Sequence, residues 1–165
     1  MNPYPKLFIE KVTDIHIGLL KELNIKGIIV DLDNTLIDYE ENLLSGAEKW
    51  CKDLKGLGIS FCIVTNSGGK EKVTKVANAL DIPYIMYAKK PFTGGYLKAK
   101  TLMGLPNRSI AVVGDQLLTD ILGANNLNMY SILVEPIDPK EMILTKIRRP
   151  IERGLLKKHF NKRSK

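Results

Sequence analysis

The chain is predicted to be an α/β protein, a three-layer sandwich with a central, mostly parallel sheet. Continuous apolar runs bounded by turn residues occur at residues 27–30, 59–64, 110–113 and 130–134, and a weaker run occurs at 84–87. Apolar runs without polar alternation are typical of strands that are buried on both faces of a parallel sheet. Strands that alternate with helical segments indicate parallel βαβ units.

Four segments between these strands have apolar residues at the spacing of three and four that favours an amphipathic helix. They span residues 44–54, 73–80, 92–103 and 117–125. A further helix is expected near residues 15–23. We therefore divide the chain into a helical leader packed on the core (1–26), the core itself (27–140) and a basic C-terminal tail (141–165).

The composition is that of a soluble globular protein, with 44% apolar and 26% charged residues in a chain of 165. No apolar run approaches the roughly 20 residues that cross a bilayer, and the first residues lack the apolar stretch of a secretory signal. A cytoplasmic location is therefore expected. Cys51 and Cys62 fall in a helical and a strand pattern without metal-like spacing, so we expect a structural role for both thiols.

Positive charge is concentrated at the C-terminal end. The net charge of the chain is +7, and residues 140–165 hold ten Lys and Arg against two Glu, a net of +8. Within them Ile143, Ile147, Ile151 and Leu155 recur every four residues. A basic amphipathic segment of this kind binds an anionic membrane surface or the phosphate backbone of a nucleic acid. A solvated basic end is the simpler alternative.

Two carboxylates follow a buried strand. Asp31 and Asp33 come directly after the apolar run 27–30, where burial makes a negative charge costly and a second charge of the same sign offers no compensation. Packing does not explain such a pair, whereas a metal ion or a phosphate-transfer site does.

Four more polar residues lie at or just after the ends of predicted strands: Thr65, Lys90, Asp115 and Asp120. Right-handed crossovers place the carboxyl ends of parallel strands at one edge of the sheet, where ligands bind. Taken singly, each has an ordinary explanation as a turn residue, a helix cap or a surface charge. Their order and their common position make one shared site the better interpretation.

The residue types suit phosphate chemistry. Asp31 can attack phosphorus and form an aspartyl phosphate. Asp33 can give a proton to the leaving oxygen and later take one from water. Thr65 and Asn66 offer a hydroxyl and an amide to phosphoryl oxygens, and Lys90 offers a positive charge to the same group.

A divalent metal fits the same set of residues. Mg²⁺ is usually bound by one or two carboxylates together with waters and a substrate phosphate. The candidate ligands are the Asp31 carboxylate, the Asp33 backbone carbonyl and Asp115, and Asp120 either contacts the ion directly or lies behind a ligand. The ion would shield the nucleophile from its anionic target and stabilise charge during transfer.

These stretches resemble the four motifs of the haloacid dehalogenase (HAD) superfamily. The matching stretches are Asp31-Leu32-Asp33-Asn34-Thr35-Leu36, Thr65-Asn66, Lys90-Pro91 and Gly114-Asp115-Gln116-Leu117-Leu118-Thr119-Asp120. The resemblance covers about residues 27–135. It implies a Rossmann-like core and Mg²⁺-dependent phosphoryl transfer with the roles given above, and it equates residues 38–45 with the flap of the superfamily.

The gaps between the motifs are too short for a cap domain. Asp31 and Thr65 are 34 residues apart, and Thr65 and Lys90 are 25 apart. A capless site is open, which suits a bulky substrate such as a lipid headgroup, a nucleic-acid end or a protein. A neighbouring subunit can also close such a site over a small substrate, so a homo-oligomer is one expectation.

More narrowly, the chain resembles the YqeG-type branch of the superfamily, which includes phosphatidylglycerophosphate phosphatases. The shared features include the chain length, Ala88-Lys89-Lys90-Pro91 and the fourth motif. The resemblance implies a phospholipid headgroup as substrate. The basic tail would bring the open site to such a lipid, with a peripheral location on the inner membrane face. Two alternatives stay open: a phosphatase of a soluble sugar phosphate, nucleotide or nucleic-acid end, and an RNA- or protein-binding module with a vestigial site.

Overall fold

The computed structural model describes residues 2–138, so the predicted tail (141–165) lies outside the described residues. One six-stranded sheet runs through this part of the chain, and all neighbouring strands in it are parallel. Its strands are β1 (Leu7–Ile9), β2 (Gly27–Val30), β3 (Ser60–Val64), β4 (Tyr84–Ile85), β5 (Ile110–Gly114) and β6 (Tyr130–Val134). Their spatial order is β1-β6-β5-β2-β3-β4. The predicted α/β class with a parallel central sheet is confirmed.

Helices cover both faces of the sheet in the described part of the chain. They are α1 (Ile17–Glu22), α2 (Ala47–Gly56), α3 (Lys70–Leu80), α4 (Gly94–Met103) and α5 (Leu122–Asn126). Short 3-10 turns occur at Val12–Asp14 and Asn107–Ser109, and a π-helical turn at Leu117–Ile121 leads into α5. Among residues 2–138, no helix combines the length and the apolar content that crossing a bilayer requires.

The central strands are buried on both faces, as their continuous apolar runs predict. Every residue of β2 and β5 is buried. Because side chains alternate along a strand, Ile28 and Val30 pack into one core with α1, α2 and α3, whereas Ile29 packs into a second core with Tyr96 of α4 and Ala124 of α5. These two cores separate the three layers.

The first 26 residues contain one strand that the sequence did not predict. The helix α1 lies inside the segment predicted to be helical, but β1 pairs with β6, with Leu7 opposite Ile132, and becomes an edge of the sheet. The strand has only three residues, and Phe8 at its centre is 42% exposed. A three-residue edge strand with an exposed centre has no buried apolar run to mark it.

The predicted strand at 84–87 is shorter in the structure, where it ends at Ile85. Tyr87 and Lys89 have φ values of 50° and 54°, in the left-handed region that a strand does not use. The chain therefore turns immediately after β4. The loop that follows carries Lys90 back toward the centre of the sheet.

The strand order places a crevice beside β2. From β2 the chain continues outward through β3 to β4, and it then returns to β5 on the other side of β2. Ligands of open α/β sheets bind at the carboxyl ends of strands at such a reversal. Between β2 and α2, the chain forms a short loop with an isolated bridge from Ile37 to Leu43, so residues 2–138 contain no cap domain over this crevice.

Replacing Trp50 by Phe should destabilise the fold. The indole Nε1–H of Trp50 donates to the Ile15 carbonyl at 2.8 Å, and the ring stacks edge-on against Phe61 with centroids 5.2 Å apart. Phe leaves the buried carbonyl unpaired and leaves a small void, so we expect a loss of about 2 kcal/mol in the free energy of unfolding. Urea denaturation measures it. Leu102→Ala, at a site that is 60% exposed, is the control and should change stability by less than about 0.5 kcal/mol.

Candidate active site

Two of the predicted carboxylates lie at the ends of adjacent strands. The Asp31 N–H donates to the Val113 carbonyl at 2.9 Å, so the β2 ladder with β5 continues to this residue. Val30 is opposite Val113 in the register, which sets Asp31 beside Gly114 and one residue short of Asp115. Both Asp residues are buried, each with 7% of the whole residue exposed. The convergence that parallel topology predicts is present.

Lys90 lies between two carboxylates from different parts of the chain. Its Nζ is 2.5 Å from Asp31 Oδ1 and 2.6 Å from Asp120 Oδ1. The exposed fractions of the three side chains are 4% for Lys90, 8% for Asp31 and 2% for Asp120. Within residues 2–138, these are the charged groups most completely removed from water that form ion pairs.

Burial and neighbouring charges shift the pKa values of Asp31 and Lys90. Desolvation, with a contribution from Asp120, raises the pKa of Asp31 to about 7, although Lys90 opposes the shift. For Lys90, burial acts to lower the pKa, but the charges of Asp120 and Asp31 outweigh it and raise the pKa above its usual value. Lys90 is therefore an ammonium at neutral pH, and Asp31 holds its proton to a higher pH than an ordinary aspartic acid does.

Hydrogen bonds to both carboxylate oxygens hold Asp120 in the turn that follows β5. Its Oδ1 accepts from Lys90, and its Oδ2 accepts the Gln116 N–H at 3.2 Å. A Cβ on Gly114 would overlap the Asp120 carboxylate, so this position requires glycine for the close approach. Asp120 lies in the π-helical turn, a distortion that often occurs at functional sites.

A buried tyrosine supports the π-helical turn from behind. The Tyr96 hydroxyl donates to the Thr119 carbonyl at 3.1 Å, and the side chain is fully buried. Gly123 makes room for the ring, because a Cβ there would collide with it. Sequence reasoning did not single out Tyr96, since its position on α4 marks it only as a core residue.

Thr65 and Asn66 come together with Lys90 through the backbone. Thr65 is 1% exposed, and its Oγ1 accepts the Ser67 N–H at 3.0 Å. The Asn66 side chain accepts the Lys90 N–H at 2.7 Å and donates to the Lys90 carbonyl at 3.3 Å. Asn66 thus holds the backbone of Lys90 in place. The prediction that Asn66 binds phosphate stays untested.

Asp33 lies apart from the buried trio, at the mouth of the site. Its side chain is 46% exposed, and its Oδ1 is 2.7 Å from Lys72 Nζ. Lys72 is on the first turn of α3 and was not predicted as a site residue. The helical pattern marks it only as a polar position, and its partner is 39 residues away in the sequence.

The loop after Asp33 is fixed by Asn34. Asn34 has a φ of 62°, a left-handed conformation that Asn tolerates better than most residues. Its carbonyl accepts the Ile137 N–H at 3.0 Å, and its Oδ1 accepts the Asp138 N–H at 3.2 Å. The residues that follow β6 therefore brace the loop that carries the first motif.

The donor set fits a hard divalent cation. Asp31, Asp115 and Asp120 each offer a carboxylate oxygen, and these three oxygens lie within 4.8 Å of one another. With Asp33 the site holds four carboxylates, and it holds two ammonium groups, on Lys72 and Lys90. When all of these groups are ionised, their charges sum to −2. Hard oxygen ligands and this charge are what Mg²⁺ binding requires.

Solved structures share this fold. A protein from Listeria monocytogenes serotype 4b superposes with a TM-score of 0.57 at 16% identity, over 72% of this chain and 85% of that one. The cobalt-bound form of the deoxy-D-mannose-octulosonate 8-phosphate phosphatase from Haemophilus influenzae superposes with a TM-score of 0.58 at 17% identity, over 69% of this chain and 70% of that one. At these identities the likeness concerns the fold alone.

Sequence comparisons go further. The profile of the family described as mitochondrial PGP phosphatase matches residues 2–137. A Bacillus subtilis protein named "Probable phosphatase YqeG" is 37% identical over 92% of this chain and 88% of its own length. The chloroplastic phosphatidylglycerophosphate phosphatase 1 of Chlamydomonas reinhardtii is 28% identical over 81% of this chain, which spans about half (53%) of that protein. The chain therefore belongs to the mitochondrial PGP phosphatase family, within the YqeG branch of the HAD-type phosphatases, and is a phosphoric monoester hydrolase.

Proposed function

We propose that this chain is a Mg²⁺-dependent phosphomonoesterase that works through an aspartyl phosphate on Asp31 and converts phosphatidylglycerophosphate to phosphatidylglycerol. The observation that carries the proposal is the buried contact of Lys90 with Asp31 and Asp120, beside Asp115, at the reversal point of the sheet. A buried carboxylate held by an ammonium beside a cluster of hard oxygens suits attack on phosphorus.

Asp31 and Asp33 divide the covalent chemistry between them. The Asp31 carboxylate attacks phosphorus and forms an acyl phosphate as the bond from phosphorus to the leaving oxygen breaks. Asp33, which is exposed enough to meet substrate and water, gives its proton to that oxygen. It then takes a proton from the water that attacks phosphorus, which releases phosphate and restores the Asp31 carboxylate.

Lys90 and Thr65 are the proposed contacts to the phosphoryl oxygens. The Lys90 ammonium already lies against Asp31, so it can neutralise charge on both the nucleophile and the phosphoryl group. Thr65, on the neighbouring strand end, offers its hydroxyl proton. We assign Asn66 a positioning role, because both ends of its amide contact the Lys90 backbone.

Asp31, Asp115 and the Asp33 backbone carbonyl are the proposed ligands of Mg²⁺. The ion would supply positive charge that lets an anionic nucleophile approach an anionic phosphate. Asp120 belongs to the same carboxylate cluster, but its two oxygens already accept hydrogen bonds from Lys90 and Gln116. We therefore propose that Asp120 fixes Lys90.

The substrate is inferred from the open site and from the relatives. The described part of the chain has no cap domain over the site, so a headgroup that stays in a membrane surface can reach it. The relatives named as phosphatidylglycerophosphate phosphatases favour a lipid monoester. Association with an anionic membrane through the basic tail, a cytoplasmic location and a homo-oligomer all stay predictions.

Asp31→Asn should abolish phosphatase activity. The amide is not a nucleophile toward phosphorus, so we expect a loss of at least about 10³-fold in kcat on p-nitrophenyl phosphate. Circular dichroism should show an unchanged fold, since Asn keeps the size of the side chain and an acceptor for Lys90. Asp53→Asn is the matched control, because Asp53 forms an exposed pair with Lys49 on α2. Activity of Asp31→Asn within tenfold of the unchanged protein would remove Asp31 as nucleophile.

Mg²⁺ should stabilise the protein, and Asp115→Asn should remove most of this effect. At a concentration 100 times the Kd, binding adds about 2.7 kcal/mol to the free energy of unfolding. Calorimetry with and without Mg²⁺ measures the rise in Tm for each variant against its own metal-free form. Because the pKa of Asp31 is raised to about 7, a proton competes with the metal below this pH. The shift should therefore be larger at pH 8 than at pH 6, and an equal shift in Asp115→Asn would contradict the assignment.

A substrate panel should separate a lipid from a soluble ester. We expect kcat/KM for phosphatidylglycerophosphate in anionic vesicles to exceed that for sugar phosphates, nucleotides and 5′-phosphorylated oligonucleotides by at least about tenfold. Faster hydrolysis of a soluble ester would leave the chemistry in place and correct the substrate. Salt-sensitive RNA binding without hydrolysis of any monoester would instead favour the binding-module alternative.

A further inference from the structure

Lys72 forms the second lysine–aspartate contact of the site. The proposed phosphatase mechanism assigns no role to this lysine. Its Nζ is 2.7 Å from Asp33 Oδ1, which joins the first turn of α3 to the loop after β2. The Lys72 side chain is 19% exposed and that of Asp33 is 46% exposed, whereas Lys90 is only 4% exposed. Lys72 is therefore the ammonium group at the mouth of the site, and Lys90 is the one at its base.

Stability does not account for this pair. An ion pair with one half-exposed partner contributes about 0–1 kcal/mol, and ordering a long Lys side chain costs entropy. The exposed ion pair between Lys49 and Asp53 on α2 is expected to contribute equally little to stability. Lys72 differs in its position, since its partner Asp33 is the carboxylate that the proposed mechanism assigns to the leaving group.

The proposed mechanism determines how the phosphate ester is oriented in the site, and therefore which part of it lies near Lys72. The phosphoryl group must contact Asp31 and Lys90 at the base of the site. Its leaving oxygen must come within hydrogen-bond distance of Asp33 to receive a proton. The rest of the leaving alcohol then extends outward past Asp33, toward the Lys72 ammonium. An ammonium has three donors, so Lys72 can contact Asp33 and still bind an anionic oxygen of the substrate.

We infer that Lys72 is a subsite for a second phosphate carried by the leaving alcohol. The inference rests on the phosphatase function proposed above and narrows its substrate class to monoesters whose alcohol bears another phosphate group. The headgroup of phosphatidylglycerophosphate has this chemistry, because its glycerol joins the terminal monoester to a phosphodiester. An anion at Lys72 would orient the ester for attack as well as add affinity.

Two soluble substrates test the subsite. Short-chain (dibutyroyl) phosphatidylglycerophosphate carries both phosphates, and glycerol 3-phosphate has the same type of leaving alcohol without the second one. For Lys72→Gln, we expect the ratio of kcat/KM between the first and second substrates to fall by at least about tenfold, mainly through KM. Lys72→Arg should retain most of the ratio, because it retains the charge. Lys75→Gln, at an exposed position on the same helix, should leave both values unchanged.

An equal loss of kcat/KM on both substrates in Lys72→Gln would mean that Lys72 only positions Asp33, and it would overturn the subsite. An unchanged kcat/KM on both substrates would overturn it as well. A binding measurement keeps the question separate from catalysis. Calorimetry compares binding of the short-chain lipid to Asp31→Asn with binding to the same variant that also carries Lys72→Gln. A Kd about tenfold weaker in the double variant supports the subsite, and an unchanged Kd contradicts it, even if the wild-type protein hydrolyses neither ester and the proposed function fails.

Discussion

The structure depends on one buried interaction, the contact of the Lys90 ammonium with the carboxylates of Asp31 and Asp120. All three groups are more than nine-tenths removed from water. Leaving any of them without its partner in such a place costs roughly 3–5 kcal/mol. The three residues come from the end of β2, the loop after β4 and the π-helical turn after β5. A parallel sheet that reverses its strand order beside β2 is the arrangement that brings these three segments to one point.

Neighbouring residues hold this interaction in place without taking part in it. Gly114 leaves space for the Asp120 carboxylate, Tyr96 supports the π-helical turn, and Asn66 fixes the backbone of Lys90. Their effect is that the charges of Lys90, Asp31 and Asp120 are oriented before any ligand arrives. Charges held in this way stabilise a transition state without the cost of reorganisation. The other ammonium group of the site, on Lys72, lies at its more exposed side, beside Asp33.

Much of this arrangement could be predicted from the sequence because burial and topology leave regular traces. The apolar runs of β2 and β5 indicate strands buried on two faces, and parallel topology then requires Asp31 and Asp115 to meet. The partners of Asn66 and Lys72 could not be predicted, because a hydrogen bond between residues more than 20 positions apart depends on the path of the loops between them. For β1 the reason is different: an edge strand of three residues buries too little to produce a pattern. The π-helical turn depends on the space beside Gly114, and local spacing does not report that space.

The bonds from Ile137 and Asp138 to Asn34 have a consequence for whatever the rest of the chain contacts. The described residues end at Asp138, and that end is tethered to Asn34, only three positions from Asp31. Any ligand held by the basic residues that follow would be joined through the chain to the loop that carries Asp31 and Asp33. Its effective concentration at that loop would be set by the length of the connecting chain, independently of the bulk solution.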